Sequence, residues 1–372
     1  MFFKQPAFKY SLYYFLFSRL ALCAIGYLTI NEFKLHSIER YSCGVYSENK
    51  FLNLFGNYDT GWYLDIAENW YPILKNYPDG TNFAQYNFFP LYPALIKLIG
   101  TFTPLSFFVA ALLISNLCLI GSGFIMHKIA TLFYNNSIAK KIVAFLYASP
   151  VSFLLSGAYS ESLYLFLLLL SIYYALKHKW LLSGIAALLV TLSRPIGVFI
   201  FFPLLVIYLQ HLNFNLKSIN KQILFLLFIP LGVVLLMLHS YFYCSDFLLF
   251  VHNPHYQSST SFPTTTLWQG YQASYFSFKF FALYVSAFVI IWFIFYKHIS
   301  LWMHSINIYT LFVPLCFGLM SMPRMLLVAF PFLFVLSSVS HKYKIQNALI
   351  IASTLLQGYM AVCWFLGFGN VV

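Results

Sequence analysis

Apolar runs of about 17–25 residues recur along this chain from near its N-terminus to its end. An α-helix rises about 1.5 Å per residue, so a run of this length can cross a hydrocarbon layer of about 30 Å. The chain is 61% hydrophobic and only 8% charged, too few charged residues for the surface of a soluble protein. The sequence therefore predicts an all-α polytopic membrane protein, with residues 1–372 forming a single domain.

The first apolar run is followed by no small-residue cleavage site, so we expect it to be a retained helix. The whole pattern predicts about eleven transmembrane helices, at 11–30, 104–126, 141–156, 159–176, 181–193, 196–210, 223–243, 277–296, 300–320, 325–340 and 345–367. Two of these are short for a crossing. The segment 181–210 is therefore expected either as two short spanning helices or as a re-entrant pair broken at Arg194-Pro195.

Lysines indicate the orientation of these helices, because cytoplasmic loops carry an excess of Lys and Arg. The lysines that fall on one side of the predicted path are Lys4, Lys9, Lys128, Lys140, Lys141, Lys177, Lys179, Lys217, Lys221, Lys297, Lys342 and Lys344. We therefore expect a cytoplasmic N-terminus and two long extracytoplasmic segments, 31–103 and 244–276. The lysines form no basic face or known motif, so the net charge of +12 indicates topology and no nucleic-acid partner.

All nine acidic residues are predicted on the extracytoplasmic side. Seven lie between residues 31 and 88, namely Glu32, Glu39, Glu48, Asp59, Asp65, Glu68 and Asp79, and the others are Glu161 and Asp246. A carboxylate is costly in hydrocarbon, so acids gathered against membrane segments indicate chemistry at the bilayer surface. Short helices predicted at Gly61–Tyr71 and Pro90–Ile99 are expected to lie at the interface, where Trp and Tyr are enriched.

Asp59 is the leading candidate for chemistry in the first outer segment. Aromatic residues flank it on both sides, an environment that suits a general base. The alternative is a helix N-cap, because Asp is favoured just before a helix starts. The residues alone leave these two interpretations evenly balanced.

Three further charged residues are predicted at the same membrane face. Arg194 and Arg324 can hold a phosphate through paired donors, or else extend toward lipid headgroups. Glu161 can bind acceptor hydroxyls or orient a neighbouring group, or it is a carboxylate favoured by the dipole at a helix start.

These segments resemble the PIG-V family, the second mannosyltransferase of glycosylphosphatidylinositol (GPI) synthesis and its bacterial relatives. The resemblance is carried by Asp-x-Gly-Trp-Tyr-x-x-Ile-Ala from Asp59, by Phe-Phe-Pro-Leu-Tyr-Pro from Phe88, and by Tyr159-Ser160-Glu161-Ser162, Ser193-Arg194-Pro195-Ile196-Gly197, Pro323-Arg324 and Phe330-Pro331. Two positions depart from the family pattern. Tyr58 stands where a tryptophan is usual, and Trp70 where a glycine is usual, which puts the shape of the sugar pocket in question.

The resemblance implies a GT-C-like fold and transfer of a hexose, for this family mannose, from a dolichyl or polyprenyl phosphate. The acceptor would be a GPI-precursor-like glycolipid or another hydroxyl compound on the extracytoplasmic or luminal side, and the sugar configuration would invert. Asp59 would be the catalytic base, with Arg194 and Arg324 at the donor phosphate. Contacts to acceptor and sugar would come from Glu161, Asp65, Trp62, Tyr63 and Tyr92. The aromatic residues have an alternative role, which composition favours, as anchors of the outer loop at the membrane interface. A small membrane subunit is compatible with this interpretation.

No Asp-x-Asp nucleotide-sugar signature is present, so we expect neither a metal nor another cofactor. His252 and His255 have weak metal-ligand spacing, and a disulfide between Cys43 and Cys244 is left open. The chain is shorter than eukaryotic family members, which favours the bacterial inner membrane over the endoplasmic reticulum membrane. The alternatives to an enzyme are a polytopic transporter, for which we find neither inverted repeats nor acids at mid-membrane, and a non-catalytic membrane scaffold.

Overall fold

The computed structural model describes residues 5–33, 44–73, 84–252, 260–320 and 322–367, and this part of the chain is helical throughout, with no strand. The helices of the first half are α1 (Pro6–Glu32), α2 (Lys50–Asn53), α3 (Thr60–Asn69), α4 (Leu91–Phe102), α5 (Phe107–Ala130), α6 (Asn136–Ala148), α7 (Glu161–Leu176), α8 (Trp180–Ser193) and α9 (Phe201–His211). Those of the second half are α10 (Phe228–Cys244), α11 (Leu249–His252), α12 (Pro263–Gln272), α13 (Phe276–Ile294), α14 (Leu301–Phe317), α15 (Met322–Leu326), α16 (Pro331–Lys342) and α17 (Gln346–Phe365).

Five helices within the described residues are long and apolar enough to cross a membrane: Pro6–Glu32, Phe107–Ala130, Lys221–Cys244, Phe276–Ile294 and Gln346–Phe365. The third of these consists of a 3₁₀ segment, Lys221–Leu227, that continues into α10. Shorter apolar helices accompany them at Leu91–Phe102, Glu161–Leu176, Trp180–Ser193, Pro195–His211 and Leu301–Phe317. The class of a helical membrane protein is thereby supported, and each predicted transmembrane range contains a helix. The two short helices predicted in the first outer segment are present as α3 and α4, and their location at a membrane interface stays a prediction.

The predicted break at Arg194-Pro195 is present. Helix α8 ends at Ser193, and Arg194 is extended, with φ −156° and ψ 149°. The ring of Pro195 disfavours the helical conformation in the residue before it, which accounts for this end. A 3₁₀ turn over Pro195–Ile200 leads into α9 and passes so close to α8 that a Cβ on Gly197 would lie 2.3 Å from the Val190 carbonyl oxygen.

Two predicted helices are interrupted, which corrects their expected extents. The range 141–156 contains the end of α6, which stops at Ala148, and then a 3₁₀ turn at Ser152–Ser156. The range 325–340 contains the end of α15 and the start of α16, separated before Pro331. Prolines explain both breaks, because Pro150 and Pro331 lack a backbone N–H and clash with a continuing helix.

Antiparallel packing gives the bundle two chemically different ends. At one end, which we call the acidic end, the start of α7 meets the end of α8, and the Asn57 amide donates to the Trp364 carbonyl near the end of α17. At the other, the lysine end, Lys140 of α6 lies over Tyr10 of α1, and Lys141 donates to Asn347 at the start of α17. The positive-inside bias leads us to expect the lysine end in the cytoplasm.

Candidate functional site

Four charged side chains from distant parts of the chain meet at the acidic end. They are Asp59, just before α3, Glu161, the first residue of α7, Arg194, just after α8, and Arg324 in α15. Arg324 Nη1 lies 2.6 Å from Asp59 Oδ2, and Arg324 Nε lies 3.2 Å from Glu161 Oε1. Arg194 Nη1 lies 2.5 Å from the same Glu161 oxygen. The two arginines therefore share one carboxylate, and one of them also holds Asp59.

Burial is uneven across this cluster. The side chain of Glu161 is 2% exposed and that of Arg324 9%, whereas that of Asp59 is 31% exposed. Buried charges are tolerated only when they are paired. The cluster is thus anchored inside the protein by Glu161, and Asp59 is the member most open to a molecule arriving from outside.

The donors of Arg194 are not all on strong acceptors. Arg194 Nη2 lies 3.3 Å from the sulfur of Met325, a weak acceptor, and Arg194 Nη1 is 3.5 Å from the Ser160 hydroxyl. Burial lowers the pKa of Arg324, but the opposing charges of Asp59 and Glu161 outweigh it, so its pKa is raised above the ordinary value. The guanidinium group of Arg324 therefore stays charged.

Asp59 occupies the N-cap position of α3, but its side chain makes no capping hydrogen bond. It pairs with Arg324 instead, which argues against the capping interpretation. The residues before it are tied to the far end of the chain, since the Asn57 amide donates to the Trp364 carbonyl at 2.9 Å and the Tyr58 hydroxyl to the Gly367 carbonyl at 3.0 Å.

Tyr159 joins the segment before Asp59 to Arg324. Its hydroxyl donates to the Asn57 carbonyl at 2.8 Å, and its ring centre lies 5.4 Å from the Arg324 guanidinium carbon. The neighbouring Ser160 hydroxyl lies 2.7 Å from that of Tyr63. Sequence reasoning assigned no role to Asn57, Tyr159 or Ser160, although all three stand beside the residues that it chose.

Aromatic residues predicted to contact the sugar form one wall next to the cluster. Trp62 stacks on Phe88 with ring centres 6.1 Å apart, and Tyr63 meets both Phe88 and Tyr92 edge-on at 5.0 Å. Tyr92 is fully buried, and its hydroxyl lies 2.8 Å from that of Ser115 in α5. Trp62 is half-buried, whereas Tyr92 is the more deeply buried of the two.

Asp65 lies apart from the four-charge cluster. Its carboxylate accepts hydrogen bonds from Asn69 and Gln85, and none of the ion pairs among the described residues includes it. Asp246 pairs with His252 at 2.9 Å in the second outer segment. Cys43 and His255 lie outside the described residues, so the disulfide between Cys43 and Cys244 and the His252–His255 metal site stay predictions. Cys244 is buried.

Trp70 ends α3 with φ +64°, a left-handed conformation that favours glycine. This is the position at which the PIG-V pattern has glycine. Trp70, where the PIG-V pattern has glycine, therefore has a backbone conformation that glycine would adopt without strain.

Metal-ligand geometry is not found in the part of the chain that the structure describes, where no three His, Cys, Asp or Glu residues are grouped. Both carboxylates of the four-charge cluster are paired with guanidinium groups. The cluster is therefore suited to bind an anion through its arginines and to accept a proton at Asp59.

No protein-family model, curated protein or solved structure matches the chain.

Proposed function

We propose that this protein is a GT-C-type glycosyltransferase of the PIG-V kind that transfers a hexose from a polyprenyl phosphate to a hydroxyl acceptor. The observation that carries the proposal is the pairing of Asp59 with Arg324, which shares Glu161 with Arg194. This arrangement brings the partly exposed carboxylate of Asp59 together with the two guanidinium groups at one end of an apolar helical bundle. The PIG-V motifs, taken alone, suggest mannose as the sugar.

The arginines would hold the phosphate of the donor. The bond between the anomeric carbon and the phosphate oxygen breaks during transfer, and its electron pair leaves with the phosphate. The leaving group therefore gains negative charge, which Arg194 and Arg324 would stabilise. Glu161 keeps both guanidinium groups in place and offsets their charge before the donor arrives.

Asp59 would accept the proton of the acceptor hydroxyl as the acceptor oxygen attacks the anomeric carbon from the face opposite the phosphate. One of its oxygens faces Arg324 and the side chain remains 31% exposed, which leaves room for an acceptor. A donor phosphate would compete for Arg324 and release Asp59 for proton transfer. Attack from the opposite face inverts the configuration of the sugar.

The test is transfer of radiolabelled mannose from polyprenyl phosphate to candidate acceptor lipids by the purified protein. Asp59→Asn is expected to remain folded and to lose turnover. The matched control is Glu68→Gln, which alters an exposed carboxylate of α3 and should transfer normally. Full activity of Asp59→Asn would refute the role of the base.

The same assay separates the proposal from its rivals. A scaffold would transfer no sugar with any donor, and a transporter would move a solute without forming a glycosidic bond. The sequence pattern predicts every acidic residue at the extracytoplasmic face, which does not favour a transporter with acids at mid-membrane. Transfer is also expected to continue in chelator; loss restored by Mg²⁺ or Mn²⁺ would show that a metal takes part.

A further inference from the structure

An apolar cavity of about 210 Å³ lies between α6, α13, α16 and α17. The rings of Phe288 and Phe332, which line it, stack with their centres 4.3 Å apart. Three of the lining residues carry hydroxyl groups, namely Ser149, Tyr284 and Ser353. The others that the described part of the chain contributes are apolar, and none is charged. The cavity therefore suits hydrocarbon rather than a sugar or a free anion.

The backbone joins the wall of this cavity to the four-charge cluster. Leu326 and Leu327, which line the cavity, follow Arg324 by two and three residues, and the Leu327 N–H donates to the Arg324 carbonyl at 3.3 Å. The lining continues along α16 to Leu336. Since α16 runs from the acidic end toward Lys342 at the lysine end, the cavity extends deeper into the bundle than Arg324.

Part of the wall is backbone that leaves the helical path. Residues 327–330, between α15 and α16, are not helical, yet each is at most 6% exposed. Irregular backbone at membrane depth is tolerated only where it is buried in protein or lines a cavity. The break before Pro331 meets both conditions, because Leu327 and Ala329 are buried and line this space.

Ala287 marks an opening on the outside of the bundle. It lines the cavity and is itself exposed. It also lies near the middle of α13, which is long and apolar enough to cross a membrane. The opening is therefore expected to face lipid hydrocarbon, from which a chain enters without passing through water.

The volume of the cavity favours a branched chain. An engineered apolar cavity of about 150 Å³ in another protein binds benzene. The larger space here accommodates an isoprene unit with its methyl branch. An unbranched acyl chain is narrower and would leave part of the wall without contacts, which loses dispersion energy.

We propose that this cavity binds the isoprenoid chain of the polyprenyl phosphate donor, with the phosphate at Arg324 and the isoprene units nearest to it between α13 and α16. Because the wall follows Arg324 directly in the chain, a phosphate held there brings its own chain to the cavity. The choice of this chain rests on the proposed transferase function, but its binding is measured without any transfer of sugar.

The test uses the full-length protein in phosphatidylcholine nanodiscs and a polyprenyl phosphate that carries a photoreactive diazirine near its phosphate. Label is expected in peptides that contain α15 and the start of α16. Geranylgeranyl phosphate should displace the probe. Hexadecyl phosphate has a main chain of the same length without methyl branches, and it should need at least about tenfold higher concentration, because a hydrophobic pocket distinguishes a single methylene by about that factor.

Two variants narrow the cavity from different sides. Ala287→Trp should lower labelling about tenfold or more, because the indole and the chain compete for the same volume. Its matched control is Ile290→Trp, which alters a 57% exposed residue of α13 that is not among those lining the cavity and should label normally. Ser353→Phe acts from α17, with the exposed Leu355→Phe as its control, and near-ultraviolet circular dichroism confirms that each variant is folded.

Four outcomes would overturn the proposal. Label outside the cavity wall, or unchanged labelling of folded Ala287→Trp and Ser353→Phe, would place the chain elsewhere. Equal displacement by the two competitors would show that any lipid chain is bound. An equal loss in variants and controls would show a general effect of added bulk. Absence of mannosyl transfer with normal labelling would instead refute the transferase function and leave the chain site standing.

Discussion

Replacing Glu161 by glutamine should destabilise the protein more than any other single loss of charge in the four-charge cluster. The side chain of Glu161 is 2% exposed, and one of its oxygens serves both Arg194 and Arg324. Glutamine would offer an amide oxygen without the negative charge, and the other partners of the Arg194 donors among the described residues are the uncharged Ser160 and Met325. Removing one partner of a buried ion pair costs about 3–5 kcal/mol, because the other charge stays buried.

The size of the effect on melting follows from the length of the chain. Unfolding entropy is about 2.1 cal/mol/K per residue in globular proteins. For 372 residues it is therefore at most about 0.8 kcal/mol/K. A loss of about 3 kcal/mol then lowers the melting temperature by at least about 4 °C, and by more if helices persist in the unfolded state.

The assay is thermal unfolding of the purified protein in detergent, followed by near-ultraviolet circular dichroism. Glu68→Gln is the control and should change the free energy of unfolding by less than about 0.5 kcal/mol, since Glu68 is exposed. Asp59→Asn should cost about 1 kcal/mol or less, because its side chain is 31% exposed and Arg324 keeps Glu161.

A double-mutant cycle checks the physical reason. Glu161→Gln/Arg194→Gln removes one charge of each sign, so it should lose less stability than the two single variants together, by about 1 kcal/mol or more. Additive losses, or a Glu161→Gln protein that melts with the unaltered one, would refute the shared-carboxylate explanation.

Two further predictions concern the surroundings of the site. Gly197→Ala should destabilise the protein by about 2 kcal/mol or more and weaken transfer, because the new Cβ, in the turn after Arg194, would lie 2.3 Å from the Val190 carbonyl oxygen. Thermal unfolding measures the loss of stability, and the mannosyl-transfer assay measures the loss of activity. An unchanged melting temperature and unchanged transfer would contradict this prediction. Tyr92→Phe should cost about 1 kcal/mol through the lost hydrogen bond to Ser115 without changing KM for the donor; a raised KM with unchanged melting would instead place Tyr92 in direct contact with the sugar.

Local rules explain which features were predictable from the sequence. The break after Ser193 follows from Pro195, which acts on the residue before it, and the two short helices of the first outer segment follow from apolar spacing. Pro150 and Pro331 also act on their own turns, but the apolar residues on either side of each proline led to the prediction of continuous helices. Hydropathy averages over a window, whereas a single proline acts on one turn.

Partners in the site could not be predicted in this way. Asp59 and Arg324 are 265 residues apart, and no periodicity links a residue before α3 to one in α15. The family resemblance predicted that both residues belong to the site. It did not predict that they form an ion pair, or that Arg324 and Arg194 share Glu161. Tyr92 is fully buried, and the motif alone did not predict this, because an aromatic residue in a motif gives no sign of whether its ring is exposed or buried.

The tie between the Asn57 amide and the Trp364 carbonyl joins residues 307 positions apart. During synthesis the ribosome delivers the segment before α3 long before it delivers α17. The setting of Asp59 therefore cannot be completed before α17 has been synthesised, because the residue two positions before it is held by the end of that helix.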